Sequence, residues 1–483
     1  FMHNPFTLLD YQARINGDAL AWANSKSTLT FAQIRGVAAR MSTRLAELGI
    51  QTGQSVFIAT QPDLDWLLIC ALMHRGCISC SSHGAGAKNL PYEPDWIVTD
   101  NPAVSGDNVI RIDQQWLADL ATYPADEPCI SFDSPESICR MVMTSGTTGV
   151  SKVAPLSVDV FLKRSDRLVG DWVSTRGDSL NLMPLSTIGG LYSAVYSWRS
   201  GRPYFTYSTP ASVIEVMKKY RLACLTGSPT QLANFLDGIG QHPVTLPDLR
   251  EVRMAGSAVS PRLVKALKNA LKVHIYSVYG STETGGVGMI QLRQPSDVEK
   301  TAYVRPGVDV QIVDDNDELL PAGSEGRVRV QGPSNINGYL GGVNAESFKD
   351  GWFYPGDRGS LTAEGLLTVF ARDAELINRG GEKVNPVPVD NALLNFPGVH
   401  DAAVFGVENQ LGFVEVAAVV VADRDVDIRQ LGQSLQGQVS AMAMPKHFFR
   451  AEQVLRNEMG KPMRLKMGEI YRQKLVEHGA KGF

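Results

Sequence analysis

The stretch ICRMVMTSGTTGVSK, residues 138–152, sets an apolar run directly against a loop of glycines and hydroxyls. Residues 138–143 read as a buried strand, since a short apolar run bounded by turn residues needs cover on both faces. In the loop, Thr144, Ser145, Thr147 and Thr148 supply hydroxyls, Gly146 and Gly149 allow close backbone approach, and Lys152 adds a charge. Those groups suit a polyphosphate. The loop is not a Walker A motif, which needs four residues between its glycines and then Lys-Ser/Thr; here two residues separate Gly146 from Gly149. Hydroxyl-rich turns are common, so this loop alone leaves phosphate binding and a plain turn both open.

Outward from that loop the pattern repeats. Apolar segments at 55–60, 67–73, 96–99, 138–143, 250–254 and 273–278 read as strands alternating with helical patterns, which argues for α/β layers. Residues 261–271 (PRLVKALKNAL) place Pro in the first turn and Leu263, Leu267 and Leu271 on one face, an amphipathic helix between two strands. From about 304 to 370, turn signals such as Asn337-Gly338 and Asp350-Gly351 punctuate short strands, an antiparallel β region. Beyond it the pattern is a smaller α+β one, with strands at 402–407 and 414–421, a helix near 428–442 and a last helix from about Met463. We expect a large domain over 1–372 and a small one over 373–483.

Composition narrows the function classes. The 483 residues are 44% hydrophobic and 20% charged, the balance of a globular enzyme. A net charge of -4 provides no global field for nucleic acid, although residues 446–483 hold nine Lys or Arg against four Glu. The longest apolar run, 66–73, is far short of the ~20 residues that span a bilayer. With no basic region and apolar core at the start, the expectation is no signal peptide and a cytoplasmic location. Six cysteines sit in apolar stretches; Cys77 and Cys80 lack a second pair to complete a zinc site, and buried thiols are the better reading.

A second motif joins the first. The segment 273–278 runs into Tyr279-Gly280-Ser281-Thr282-Glu283-Thr284-Gly285-Gly286, so an aromatic ring, hydroxyls and a carboxylate emerge at a strand's carboxyl end, where α/β sheets build sites. Glu283 suits Mg²⁺, which binds through one or two carboxylates plus substrate phosphates. A phosphate loop and this carboxylate together read as a site for Mg·ATP.

These segments resemble the core motifs of the adenylate-forming superfamily, which includes acyl-CoA and aryl-CoA synthetases, nonribosomal peptide adenylation domains and luciferases. The likeness continues in order through Met183-Pro184-Leu185-Ser186-Thr187-Ile188-Gly189-Gly190-Leu191, Ala255-Gly256-Ser257-Ala258, Tyr354-Pro355-Gly356-Asp357, Ala371-Arg372-Asp373 with Gly380-Gly381-Glu382-Lys383-Val384, and Arg456-Asn457-Glu458-Met459-Gly460-Lys461. It implies that Asp357 and Arg372 hold the ribose, that Gly256, Ser257, Ala258 and Tyr279 flank the adenine, and that Gly280 and Ser281 line the nucleotide. It also implies that Thr282 and Glu283 act at the phosphates. Lys461 would stabilise charge while the acid attacks ATP. Ser186, Thr187, Gly189, Gly190 and Gly286 would border the acid. Asp373 would be the hinge about which a mobile small domain alternates, bringing Gly380 and Gly381 toward the incoming thiol.

The chain also departs from the family pattern. Thr187 replaces a His beside the acyl pocket, Ser151 a loop Pro and Ala371 the Gly before Arg372. No Asp occurs in 181–198, where amino-acid-activating relatives place one, so an aryl or aliphatic acid is the expected substrate. The resemblance implies an ATP- and Mg²⁺-dependent acid–thiol ligase with CoA as acceptor. An acyl carrier protein is the alternative, and a homodimer is one assembly open to the chain. A non-catalytic scaffold is disfavoured by retention of Glu283, Asp357, Arg372 and Lys461.

Overall fold

The computed structural model describes residues 3–82, 90–144, 152–171, 177–240, 245–379, 382–457 and 460–479. Two layered sheets carry most of it. In the first, the strands Val109–Arg111, Trp96–Thr99, Ser55–Ala59, Ile78–Ser81 and Ile138–Thr144 run parallel, and Lys152–Ser157 closes the edge antiparallel. In the second, Ser179–Asn181, Cys224–Gly227, Glu251–Ala255 and His274–Ser281 are parallel neighbours. That sheet then continues antiparallel through Gly285–Gln291, Ala302–Val304, Leu366–Arg372, Asp357–Leu361 and Gly326–Gln331. The change of strand direction falls at the hairpin that carries Thr282 and Glu283.

The fold is the α/β arrangement expected, with an antiparallel region and a smaller α+β part at the C-terminal end. That last part is built on Val399–Glu408, Val414–Ala422 and His447–Arg450, flanked by the helices Val387–Leu394 and Arg464–Gly479. Its apolar clusters, around Val389, Val404 and Leu431 and around Phe405, Val419 and Met467, draw only on residues from Ile377 onward.

Two sequence expectations fail. Residues 67–73 are not a strand but lie inside the helix Pro62–Arg75. Pro62 starts it, Asp63 and Asp65 sit in its first turn, and Gly76 ends it at φ 70. Leu67 to Met73 is a run with a single β-branched residue, and the helix is covered on nearly all sides, so its periodicity is erased. The helix near 428–442 is shorter, Ile428–Ser434; Gly437 turns at φ 77 and only a 3-10 turn, Ala441–Ala443, follows. The helix Pro261–Ala270 forms as expected, and the six cysteines are buried free thiols. Among the described residues no helix is long and apolar enough to cross a membrane.

One buried cation ties the first sheet to the site. Arg140, fully buried on Ile138–Thr144, donates to Ser79 Oγ (3.1 Å), Ser81 Oγ (2.9 Å) and the Leu185 carbonyl (3.0 Å), which precedes the segment 186–191. Ser81 Oγ in turn donates to Asp65 Oδ1 at 2.6 Å. Burial pushes the Asp65 carboxyl up to about 6, against the pull of Arg140. A carboxyl raised above its unfolded value destabilises the fold as it ionises, so the contribution of Asp65 to stability falls as pH rises from about 4 to about 6. We expect Asp65→Asn to flatten that slope in urea unfolding midpoints. Arg140→Met should cost on the order of 3 kcal/mol in the same assay, by stranding its acceptors and Asp65.

Candidate active site

The carboxyl ends of the parallel strands open into a cavity of about 460 Å³. Its wall includes Thr144 and Lys152 from the ends of the phosphate loop, Gly256, Gly280, Ser281, Thr282, Glu283 and Gly286 from the second sheet, Thr187 and Gly189, Arg372, and Lys461 from the C-terminal part. Motifs spread over more than 300 residues of chain thus meet in one cleft. Ser145, Gly146, Thr147, Thr148 and Gly149, and likewise Gly380 and Gly381, lie outside the described residues.

The 279–286 segment is held in place from behind. Gly280 sits where a Cβ would come within 2.3 Å of the Gly285 carbonyl, so only glycine lets the hairpin close. Ser281 Oγ accepts from the Thr284 amide at 3.2 Å and pairs with its hydroxyl at 3.0 Å, which fixes the turn. Beneath it Arg164, a buried residue of the helix Val158–Asp171, donates Nη1 to the Thr282 carbonyl, Nη2 to the Glu283 carbonyl and Nε to the Ser334 carbonyl, each at 2.9 Å. Tyr339 donates its hydroxyl to Glu283 Oε1 at 2.5 Å, and the Lys152 ammonium stands 5.1 Å from the same ring. Burial and the Glu283 charge push the Tyr339 hydroxyl up, so it stays a donor.

Asp357 and Arg372 are cross-strand partners. Arg372 Nε donates to Asp357 Oδ1 at 2.8 Å and the Tyr279 hydroxyl donates to Oδ2 at 2.5 Å. Asp357 is 1% exposed, and neither it nor Tyr279 belongs to the cavity wall in this arrangement. The Tyr279 ring packs against the core of the antiparallel region, the alternative that a large aromatic always carries. Ser257 and Ala258 also stand off the wall, beside Gly256 at φ 94.

Lys461 enters from the far side. Gly460, at φ 74, lets the chain pass so close to Thr230 that a Cβ would overlap it, and Thr230 Oγ1 donates to the Gly460 carbonyl at 3.2 Å. Lys461 Nζ lies 3.4 Å from Glu375 Oε1. Burial, then the charge of Arg372, lower the affinity of Lys461 for its proton; Glu375 and Asp357 act against both. The Glu375 carboxyl is pushed up by burial but held below its usual range by Lys461, Arg464 and Arg372.

On the opposite wall, Thr187 caps the helix Ile188–Ser200, accepting from the Gly190 amide at 3.1 Å and donating to the Pro184 carbonyl at 2.8 Å. Gly190 is packed on the Pro184 carbonyl, and neither it nor the buried Ser186 reaches the wall. Asp373 pairs with Arg358 (3.8 Å) and Lys383 (3.6 Å), where the chain leaves the large sheet. Arg164, Tyr339 and Arg253 belong to none of the motifs in the sequence. Of these Arg253 has a visible signal, since Arg250, Glu251 and Arg253 put three charges into the segment 250–254, read as an apolar strand.

Among the described residues no cluster of three or more His, Cys, Asp or Glu forms a metal cage. Glu283 on the wall is the kind of single carboxylate that fits Mg²⁺, an ion that keeps its waters and takes its other ligands from phosphates. Because Glu375 supports the protonated form of Lys461, Glu375→Gln should move the loss of that proton to lower pH. Competitive acetylation of Lys461 across a pH series would measure the shift; no shift, or a shift upward, would contradict the pairing.

Known proteins agree with this geometry. The family model described as AMP-binding enzyme matches residues 87–340, more than half of the chain, and the AMP-binding enzyme C-terminal domain matches 388–461. The fatty acid–[acyl-carrier-protein] ligase ScoC of Streptomyces coeruleorubidus is 24% identical over 92% of this chain and 92% of its own. The oxalate–CoA ligase of Arabidopsis thaliana is 26% identical over 70% of this chain and 69% of its own. ATP-bound MatB from Rhodopseudomonas palustris shares the fold at a TM-score of 0.84 and 24% identity, over 98% of this chain and all of that one. With both family regions in order along it and their motifs meeting in one cleft, the chain belongs to the AMP-binding enzymes.

Proposed function

We propose that this protein activates a carboxylic acid with ATP, as an acyl-adenylate, and then passes the acyl group to a pantetheine thiol. The observation that carries the reading is Lys461 on the wall of the cavity that also holds Lys152, Thr282, Glu283 and Thr187. A cation, a phosphate-loop end, a carboxylate and an acid-sized pocket there converge.

In the first step the acid's carboxylate oxygen attacks the α-phosphorus of ATP. A new acyl O–P bond forms, the bond to the β-phosphate oxygen breaks, and pyrophosphate leaves. Lys461 faces the charge that develops, a role suited to a fixed point charge in a cleft of reduced water access. Lys152 and Thr144, with residues 145–149, hold the departing phosphates, and Glu283, with Thr282, would hold Mg²⁺, which would neutralise phosphate charge when bound. Asp357, assisted by Arg372, takes the ribose hydroxyls once Tyr279 releases it and turns toward the adenine beside Gly256, Ser257 and Ala258. Gly280 and Ser281 floor the nucleotide, while Thr187, Gly189 and Gly286 shape the acid side, with Ser186 and Gly190 packed behind them.

In the second step the thiol sulfur attacks the acyl carbonyl and AMP leaves. We propose a boundary between 372 and 373 and rotation about Asp373 that withdraws Lys461 and brings Gly380 and Gly381 to the cleft. Support comes from the bonds between the two parts, many of them side-chain donors on backbone carbonyls: Arg262 to Leu394 (2.7 Å) and Val399 (2.6 Å), and Asn385 to Phe370 (2.5 Å). Such contacts exchange for water with little net cost. CoA is the acceptor we favour; ScoC, named for a carrier protein, and the basic C-terminal stretch support the alternative. The reading implies a cytoplasmic location and leaves a homodimer to be tested by sedimentation.

ATP–pyrophosphate exchange across a panel of carboxylic acids tests the first step, and silence with every acid would refute it. Lys461→Ala should lower exchange ~10²–10³-fold while sparing thiolation of supplied acyl-AMP. Equal loss of both would refute the alternation. Running the active acid with CoA and with a phosphopantetheinylated carrier, and comparing kcat/KM, identifies the acceptor.

A further inference from the structure

We propose that the acid carries, away from the carboxylate being activated, a second group that accepts hydrogen bonds, and that Arg253 selects for it. The proposal rests on the ligase reading above. In the strand Glu251–Ala255, Val252 and Met254 are fully buried in the apolar core of the parallel strands. By strand alternation Glu251, Arg253 and Ala255 face the other way. Register sets Arg253 beside Thr226 and Thr226 beside Asn181, so three polar side chains form one row across three parallel strands. All three belong to the cavity wall.

Parallel strands covered on both faces are ordinarily apolar throughout, and a pocket for a hydrocarbon tail would keep them so. Here Arg253 is 1% and Glu251 4% exposed, joined Nη2 to Oε1 at 2.9 Å. Removing both charges from water carries a large desolvation cost, and apolar residues of like volume would stabilise the fold at least as well. The pair is therefore weakly accounted for by stability and well accounted for by a ligand. The row lies two residues deeper than Ala255 and Val278, roughly 7 Å along the strands from the cleft where the nucleotide motifs meet. Met183, Ile188 and Tyr192 supply apolar wall on the way. A short carbon skeleton with its reacting carboxylate at the cleft thus ends at Arg253, whose planar fork suits a carboxylate, carbonyl or hydroxyl oxygen.

The test uses acids of equal chain length ending in a methyl, a hydroxyl or keto group, or a second carboxylate, in pyrophosphate exchange. Wild type should prefer at least one polar-ended acid over the methyl-ended one by ~10²-fold or more in kcat/KM, since a site built to donate hydrogen bonds rejects a ligand lacking the acceptor. The double variant Glu251→Gln with Arg253→Met removes both charges together, so neither charge is left buried alone; it should reverse the preference. Arg253→Lys should keep part of it. Which polar acid falls most in the double variant tells a second carboxylate from a neutral acceptor. An equal change for all three acids would mean a structural role and overturn the proposal, as would a wild type that turns over the methyl-ended acid equally well. Absence of exchange with every acid would instead refute the ligase reading, and this proposal with it.

Discussion

A cation held in a cleft by a part of the chain with its own core is the constraint around which the rest is arranged. Lys461 would be cheapest in water, and burial and Arg372 both disfavour its charge. It is held at the cavity because Gly460 lets the backbone pass close to Thr230 and because Glu375 supplies the opposing charge. The apolar clusters of the C-terminal part do not draw on the large sheets. The bonds between the parts include Arg262 to the Leu394 and Val399 carbonyls and Thr230 to the Gly460 carbonyl.

Such an arrangement works only if the opposite wall is rigid, and that wall is made of segments poor in packing side chains. Glycine- and hydroxyl-rich turns have little to anchor themselves with, so buried arginines brace them from behind. Arg164 gathers the Thr282, Glu283 and Ser334 carbonyls, and Arg140 links two strands of the first sheet to the Leu185 carbonyl. In both cases the guanidinium donates to buried backbone carbonyls, which need a partner away from water.

Much of the site was legible because its chemistry is local. The glycines, hydroxyls and carboxylate of 279–286 form a hairpin whose bonds lie within a few residues, so spacing alone conveys the shape. Lys461 was legible through its motif, though not the partner that holds it. The helix Pro62–Arg75 was misread because burial on nearly every side removes the polar stripe on which helical periodicity depends. The motifs of Tyr279 and Asp357 point to a nucleotide, but the two bond to one another here, a choice between partners that composition does not express. Tyr339 and Arg164 were passed over because they act across 56 and 118–170 residues of sequence, respectively.

From the chain alone came the layered α/β class, the family and the groups that face the phosphates, since these depend on short patterns with their own chemistry. Only the tertiary structure brought Lys461 to Glu375 and to the far wall, set Arg164 under the Glu283 turn, and aligned Asn181, Thr226 and Arg253 in one row. Each of those is a contact between distant segments, and it exists because strand register and helix packing bring backbones to a common depth. Side chains that look like ordinary charges in an apolar run become a polar floor only when neighbouring strands place their own polar residues beside them.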